Sequence, residues 1–180
     1  MKRYMLVLLI ITLIFSISIA YTADEAADTL VKMKLMAGYP DGTLGLDKNI
    51  TRAEFCTLVA KMLGISDEEN FDINNFSDLP KDHWAYKNVM ALASRGIISG
   101  YGDGTFKPSN NVTYAETSVI LIGVLGYKSE LVGEWPTNVM NLADELKLNK
   151  DVDITLSDKK MTRGLVSVML LNGMEIPVKK

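Results

Sequence analysis

The 180 residues include one cysteine, one histidine and five prolines, and only 8% are aromatic. With Cys56 alone, the chain has neither an internal disulfide nor a cysteine-rich zinc site, and with His83 alone the common multi-histidine metal sites are excluded. Basic charge is also short. A formal charge of −3 and a pI near 5.2 leave no bulk positive field for nucleic acid. What remains is ordinary for a folded protein, 48% hydrophobic and 23% charged, and is too apolar for a disordered chain. The length suits one domain or a few small repeats sharing a core.

The longest largely apolar stretch is N-terminal. Lys2 and Arg3 precede an apolar run from Met5 to Phe15, and Ser18, Ile19 and Ala20 then offer small residues for cleavage. Residues 1–20 therefore read as a secretory signal peptide. The run is shorter than the roughly 20 residues of a spanning helix, which disfavours the alternative of an uncleaved N-terminal anchor. Without Lys2 and Arg3 the chain carries 17 basic and 22 acidic residues, a net charge of −5. Cys56 lies in an apolar helical pattern and reads as a small buried side chain.

The strongest signal is internal repetition. Residues 38–64, GYPDGTLGLDKNITRAEFCTLVAKMLG, align without a gap with 100–126, GYGDGTFKPSNNVTYAETSVILIGVLG, and 11 of 27 positions are identical. A weaker third copy shares Met, Leu and Ala between 90–98 and 140–148, and echoes Trp84 as Trp135 and Thr113 as Thr162. Each unit reads as helix, loop, helix. In the second unit Ala85, Val89, Leu92 and Ala93 share a face of a helix expected from Trp84 to Arg95, and Gly96 ends it. Asp41-Gly42 and Asp103-Gly104 mark tight turns, with the aspartates as turn formers. Thr51 with Glu54, and Thr113 with Glu116, have capping-box spacing; in the third unit Thr162 faces Leu165, so half of that box is lost. Behind the first box, Phe55, Leu58, Val59 and Met62 form an apolar stripe. Units this small cannot bury enough surface alone, so they are expected to share a core.

FSDLPKDHWAYKNVMALASRGIISGYGDGTFKPSNNVTYAETSVILIGVLG (76–126) resembles the S-layer homology (SLH) domain, as do GYPDGTL and ITRAEF in the first unit. The resemblance implies an all-α fold of tandem helix-loop-helix SLH repeats packed as a pseudo-threefold helical bundle. Expected boundaries are signal peptide 1–20, a partial repeat at 24–65, a full repeat at 76–127 and a degenerate repeat at 135–173. It also implies a non-catalytic cell-wall anchoring module of an exported bacterial protein. Such a module is secreted to the cell wall or cell surface (S-layer) and binds pyruvylated secondary cell-wall polysaccharide in grooves between repeats. Other envelope proteins are further candidate partners; no cofactor, metal, nucleic acid or, after signal removal, membrane is implied. The alternative is a structural or protein-interaction envelope protein that has lost polymer binding.

By the same resemblance the carbohydrate-binding positions are Arg52, Arg163, Asp78, Trp84, Trp135 and Gly100. A guanidinium can clamp the carboxylate of a pyruvyl sugar, and Arg52 and Arg163 each follow an expected N-cap, where a helix terminus favours an anion. Trp84 and Trp135 read either as sugar platforms or as core residues. Asp78 and Gly100 would give hydrogen bonds and close backbone approach. Tyr114 stands where the family has arginine, which weakens that groove. His83 reads as an exposed neighbour of Trp84. No catalytic set is evident. An EF-hand fails because the twelfth position from Asp41 or Asp103 is Arg52 or Tyr114, not glutamate.

Overall fold

The computed structural model describes residues 20–65 and 76–179. The expected signal peptide, up to residue 19, and the linker 66–75 lie outside the described residues. Among the described residues six α-helices carry the fold: α1 Ala23–Lys32, α2 Arg52–Met62, α3 Tyr86–Ser94, α4 Tyr114–Val124, α5 Thr137–Glu145 and α6 Arg163–Glu175. A single 3₁₀ turn spans Lys128–Glu130, and no strand longer than an isolated bridge occurs among the described residues. The all-α expectation is met.

Threonine sets where α1, α2, α4 and α6 begin. The hydroxyls of Thr22, Thr51 and Thr113 accept from the N3 amides of Glu25, Glu54 and Glu116, whose carboxylates accept in return from the cap amides. Thr162 accepts from Leu165 N, and no glutamate returns the bond. The first two amides of each of α2, α4 and α6 have no partner in their own helix. They donate across the structure instead: Arg52 N to Asn110 O (2.8 Å) and Ala53 N to Pro108 O (3.1 Å). Tyr114 N and Ala115 N donate likewise to Lys159 O (2.9 Å) and Ser157 O (3.0 Å), and Arg163 N and Gly164 N to Lys48 O and Leu46 O (both 2.9 Å).

The same exchange closes a ring. Ile50 N donates to Met161 O (3.0 Å), Met161 N to Val112 O (2.9 Å) and Val112 N to Ile50 O (3.1 Å). All three side chains are fully buried, so the three pre-helix segments meet on one apolar axis. Burying each such side chain is worth about 1.5–3 kcal/mol. Around this axis α2 packs on α3, α4 on α5 and α1 on α6, so the first helix in the chain covers the last. One contiguous core results, including Phe55, Phe106, Tyr114, Leu30 and Leu121.

Helix α3 is shorter than its periodicity suggests. It begins at Tyr86, not Trp84, because His83 O accepts from Tyr86 N and His83 Nδ1 accepts from Ala85 N (3.1 Å). These bonds form a turn that leaves Trp84 before the helix. Cys56 is fully buried as expected, and burial pushes its thiol up to about 12.

Candidate carbohydrate-binding seams

Arg52 and Arg163 both lie where one helix start meets a neighbouring glycine-turn loop, and both are more than nine-tenths buried. Arg52 Nη2 donates to Ser99 O (2.8 Å), Nη1 stands 3.7 Å from Glu116 Oε1, and the guanidinium lies over the rings of Tyr101 and Phe106. Arg163 donates from Nε to Leu44 O (2.8 Å) and from Nη2 to Ala37 O (2.7 Å), beneath the ring of Tyr39. Tyr114, their counterpart on α4, is buried too. Nor are the helix starts open to an anion, because their leading amides already donate to carbonyls of the adjoining segment.

Two clefts open beside these seams, and their walls correspond. One, of ≈ 260 Å³, is lined by Tyr101, Thr113, Ala115, Glu116, Trp135, Pro136, Ser157 and Asp158. The other, of ≈ 230 Å³, is lined by Thr51, Ala53, Glu54, His83, Trp84, Pro108 and Ser109. Thr, Ala and Glu from a helix start recur in both, each facing one tryptophan. Trp135 is 55% exposed and Trp84 61%, whereas most large apolar residues are buried. Of the two readings open from sequence, core packing is therefore the one that fails. His83 stacks on Trp84 with ring centres 5.5 Å apart.

At the third seam the residue two before the helix is Tyr21, whose hydroxyl donates to Glu175 (2.8 Å). Gly164 takes the alanine position. A Cβ there would meet Ala23 Cβ at 3.0 Å and Leu46 O at 3.1 Å, so that seam is tight.

Asp78 accepts from Phe106 N (2.7 Å) and Lys107 N (2.8 Å), pinning the end of the glycine-turn loop where Lys107 has a φ of 57°. Gly100 lies under Phe76, whose ring would be 2.6 Å from an added Cβ. Both residues shape the loop that carries Tyr101. Asp41 and Asp103 are turn formers, each accepting from the amide and hydroxyl of the threonine two residues on. No group of three metal-ligating side chains occurs among the described residues.

Sequence reasoning missed Tyr39, Tyr101, Glu116 as a seam residue, Lys48 and Lys107. The Tyr101 hydroxyl donates to Glu116, and Lys107 Nζ stands 4.2 Å from the Tyr101 ring centre, as Lys48 Nζ stands 4.1 Å from that of Tyr39. The tyrosines were legible as identical positions in the repeat; the lysines were not, since they occupy different repeat positions. Burial raises the Glu116 pKa, but the bonds from Tyr101 and Thr113 and the Arg52 charge outweigh it and leave the carboxyl below its ordinary value.

The clefts, the buried arginines and the interlocked helix starts define a repeat module with paired surface clefts. The family model of the S-layer homology domain matches residues 17–56 and 75–118, and the chain belongs to that family. It is 33% identical over 174 residues to "Middle cell wall protein" of Brevibacillus brevis, covering 87% of this chain and 16% of that one. To "Surface layer protein" of Brevibacillus choshinensis it is 34% identical over 136 residues, covering 72% and 12%. To "Cellulosome-anchoring protein" of Acetivibrio thermocellus it is 41% identical over 105 residues, covering 57% and 23%. The chain thus spans less than a quarter of the length of these relatives. The two Brevibacillus relatives are cell-wall and surface-layer proteins by name, and membership of the family places the chain at the cell surface. No described helix is long and apolar enough to cross a membrane.

Proposed function

We propose that the chain is a non-catalytic anchoring module built from three repeats, bounded as the sequence suggests. It holds a secondary cell-wall polysaccharide non-covalently in its tryptophan clefts, and pyruvylated sugars are the preferred units. The observation that carries this reading is the matched pair of clefts, each with an indole more than half exposed beside the same Thr, Ala and Glu. An exposed indole face with hydroxyls and carboxylates around it suits a pyranose ring, which presents apolar C–H groups and polar edges. Trp84 and Trp135 touch the sugar in this scheme. Arg52, Asp78 and Gly100 hold the loop that carries Tyr101 into the Trp135 cleft, and Arg163 ties the first glycine-turn loop to α6. The test is co-sedimentation of the exported chain with wall sacculi before and after chemical removal of their accessory polysaccharide. Loss of binding on removal is expected; retention on bare peptidoglycan would refute it.

The second reading is a structural or protein-interaction role without polymer binding. It is favoured by the arginines, whose described bonds run to backbone carbonyls and Glu116. Unchanged wall retention after stripping, lost on removal of envelope proteins, would select it.

A further inference from the structure

We propose that Lys107, whose ammonium stands on the ring of Tyr101 beside the Trp135 cleft, is the cation that meets an acidic group of the bound polymer, in place of Arg52 behind it. This rests on the reading that the tryptophan clefts hold the polymer. Arg52 is 6% exposed, turned to Ser99 O and Glu116, and covered by the Tyr101 and Phe106 rings. Meeting a ligand would require it to leave those partners. The Lys107 side chain is 37% exposed, and its ammonium lies 4.2 Å from the ring centre of Tyr101, which walls the cleft.

Among the described residues its charged partner is Asp103, at 3.4 Å across an exposed i,i+4 pair. Such pairs are weak and exchange readily, and a lysine stem is long and flexible enough to reach a neighbouring acid. The cleft wall itself offers an acid no welcome, since Glu116 and Asp158 both line it. Arg52 answers Glu116 from behind, and Lys107 stands on the Tyr101 ring that walls the cleft. Asp78 is then a positioning residue: its carboxylate holds the Lys107 amide at 2.8 Å and with it the left-handed backbone from which the side chain turns onto Tyr101.

The test is calorimetry on the full exported chain carrying Trp84→Ala, so that the Trp135 cleft alone is counted. The probes are the methyl glycoside of an N-acetylhexosamine with and without a pyruvate ketal. Lys107→Gln is expected to weaken the ketal probe about tenfold, the worth of one charge-assisted hydrogen bond, and to leave the plain probe unchanged. Lys107→Arg should restore the preference. Asp78→Asn should reduce the ketal preference with the plain probe still bound, which a merely structural loss would not do. If Lys107→Gln binds the ketal as tightly as its parent, the proposal is overturned. It is also overturned if the parent fails to distinguish the two probes; retained binding to sacculi would then show that wall anchoring survives, and lost binding would take that reading down as well.

Discussion

Arg163 and Ala37, 126 positions apart, are joined by a 2.7 Å hydrogen bond from the guanidinium to the backbone carbonyl. With the bond from Nε to Leu44 O, it ties the start of the last helix to the first glycine-turn loop. Arg163→Met should therefore lower stability by about 2–3 kcal/mol, the range for hydrogen bonds to a charged group plus the carbonyls left unpaired. Urea unfolding without any ligand checks this. A change within the noise of the wild-type curve would mean that the arginine is free to serve something else.

Acid should loosen the seam at Glu116. Its folded pKa lies below the ordinary 4.5, because the bonds from Tyr101 and Thr113 and the Arg52 charge outweigh the upward push of burial. A depressed carboxyl adds stability that is fully present above its unfolded pKa and is lost as pH falls through the lower folded value. Melting temperature should accordingly drop as pH falls below about 4.5, and Glu116→Gln should flatten that part of the profile. A variant with the wild-type slope would show that the dependence originates elsewhere.

Cys56 should be inert in the folded protein. With its thiol pushed up to about 12 by burial on the inner face of α2, almost no thiolate exists at neutral pH. Ellman's reagent is expected to label it only at the rate of unfolding, and immediately in denaturant. Fast native labelling would contradict the packing described.

Gly100→Ala should cost several times what an ordinary loop substitution does, about 1–3 kcal/mol, because the new methyl would lie 2.6 Å from the Phe76 ring and equally close to Thr105 O. The backbone oxygen cannot yield cheaply, so the loop carrying Tyr101 must move. The check is thermal melting of the variant beside Gly102→Ala, whose Cβ would meet nothing within 4 Å. Equal melting temperatures would refute this account of the loop.

Much of the fold could be read in the chain because its signals are local. The capping boxes at Thr51 and Thr113, the turns at Asp41 and Asp103, and the end of α3 at Gly96 all rest on contacts within a few residues, and all are present. The box at Thr22 has the same spacing, yet it lies outside the repeat that drew attention. The site was harder to see, since its geometry is non-local. That Arg52 would lie against Ser99, or that Ala53 N would donate to Pro108 O, depends on how separate units interlock, which periodicity does not encode. The arginine motif lies at that seam. Its role as a buried tie became visible only with the carbonyls around it.

The central claim is that the exposed indoles hold the wall polymer, and the double variant Trp84→Ala/Trp135→Ala tests it most directly. Both side chains are more than half exposed, so the variant should melt close to wild type. Its co-sedimentation with polysaccharide-bearing sacculi should fall to the level seen with stripped sacculi. Full retention on unstripped sacculi by a properly folded double variant would contradict the account.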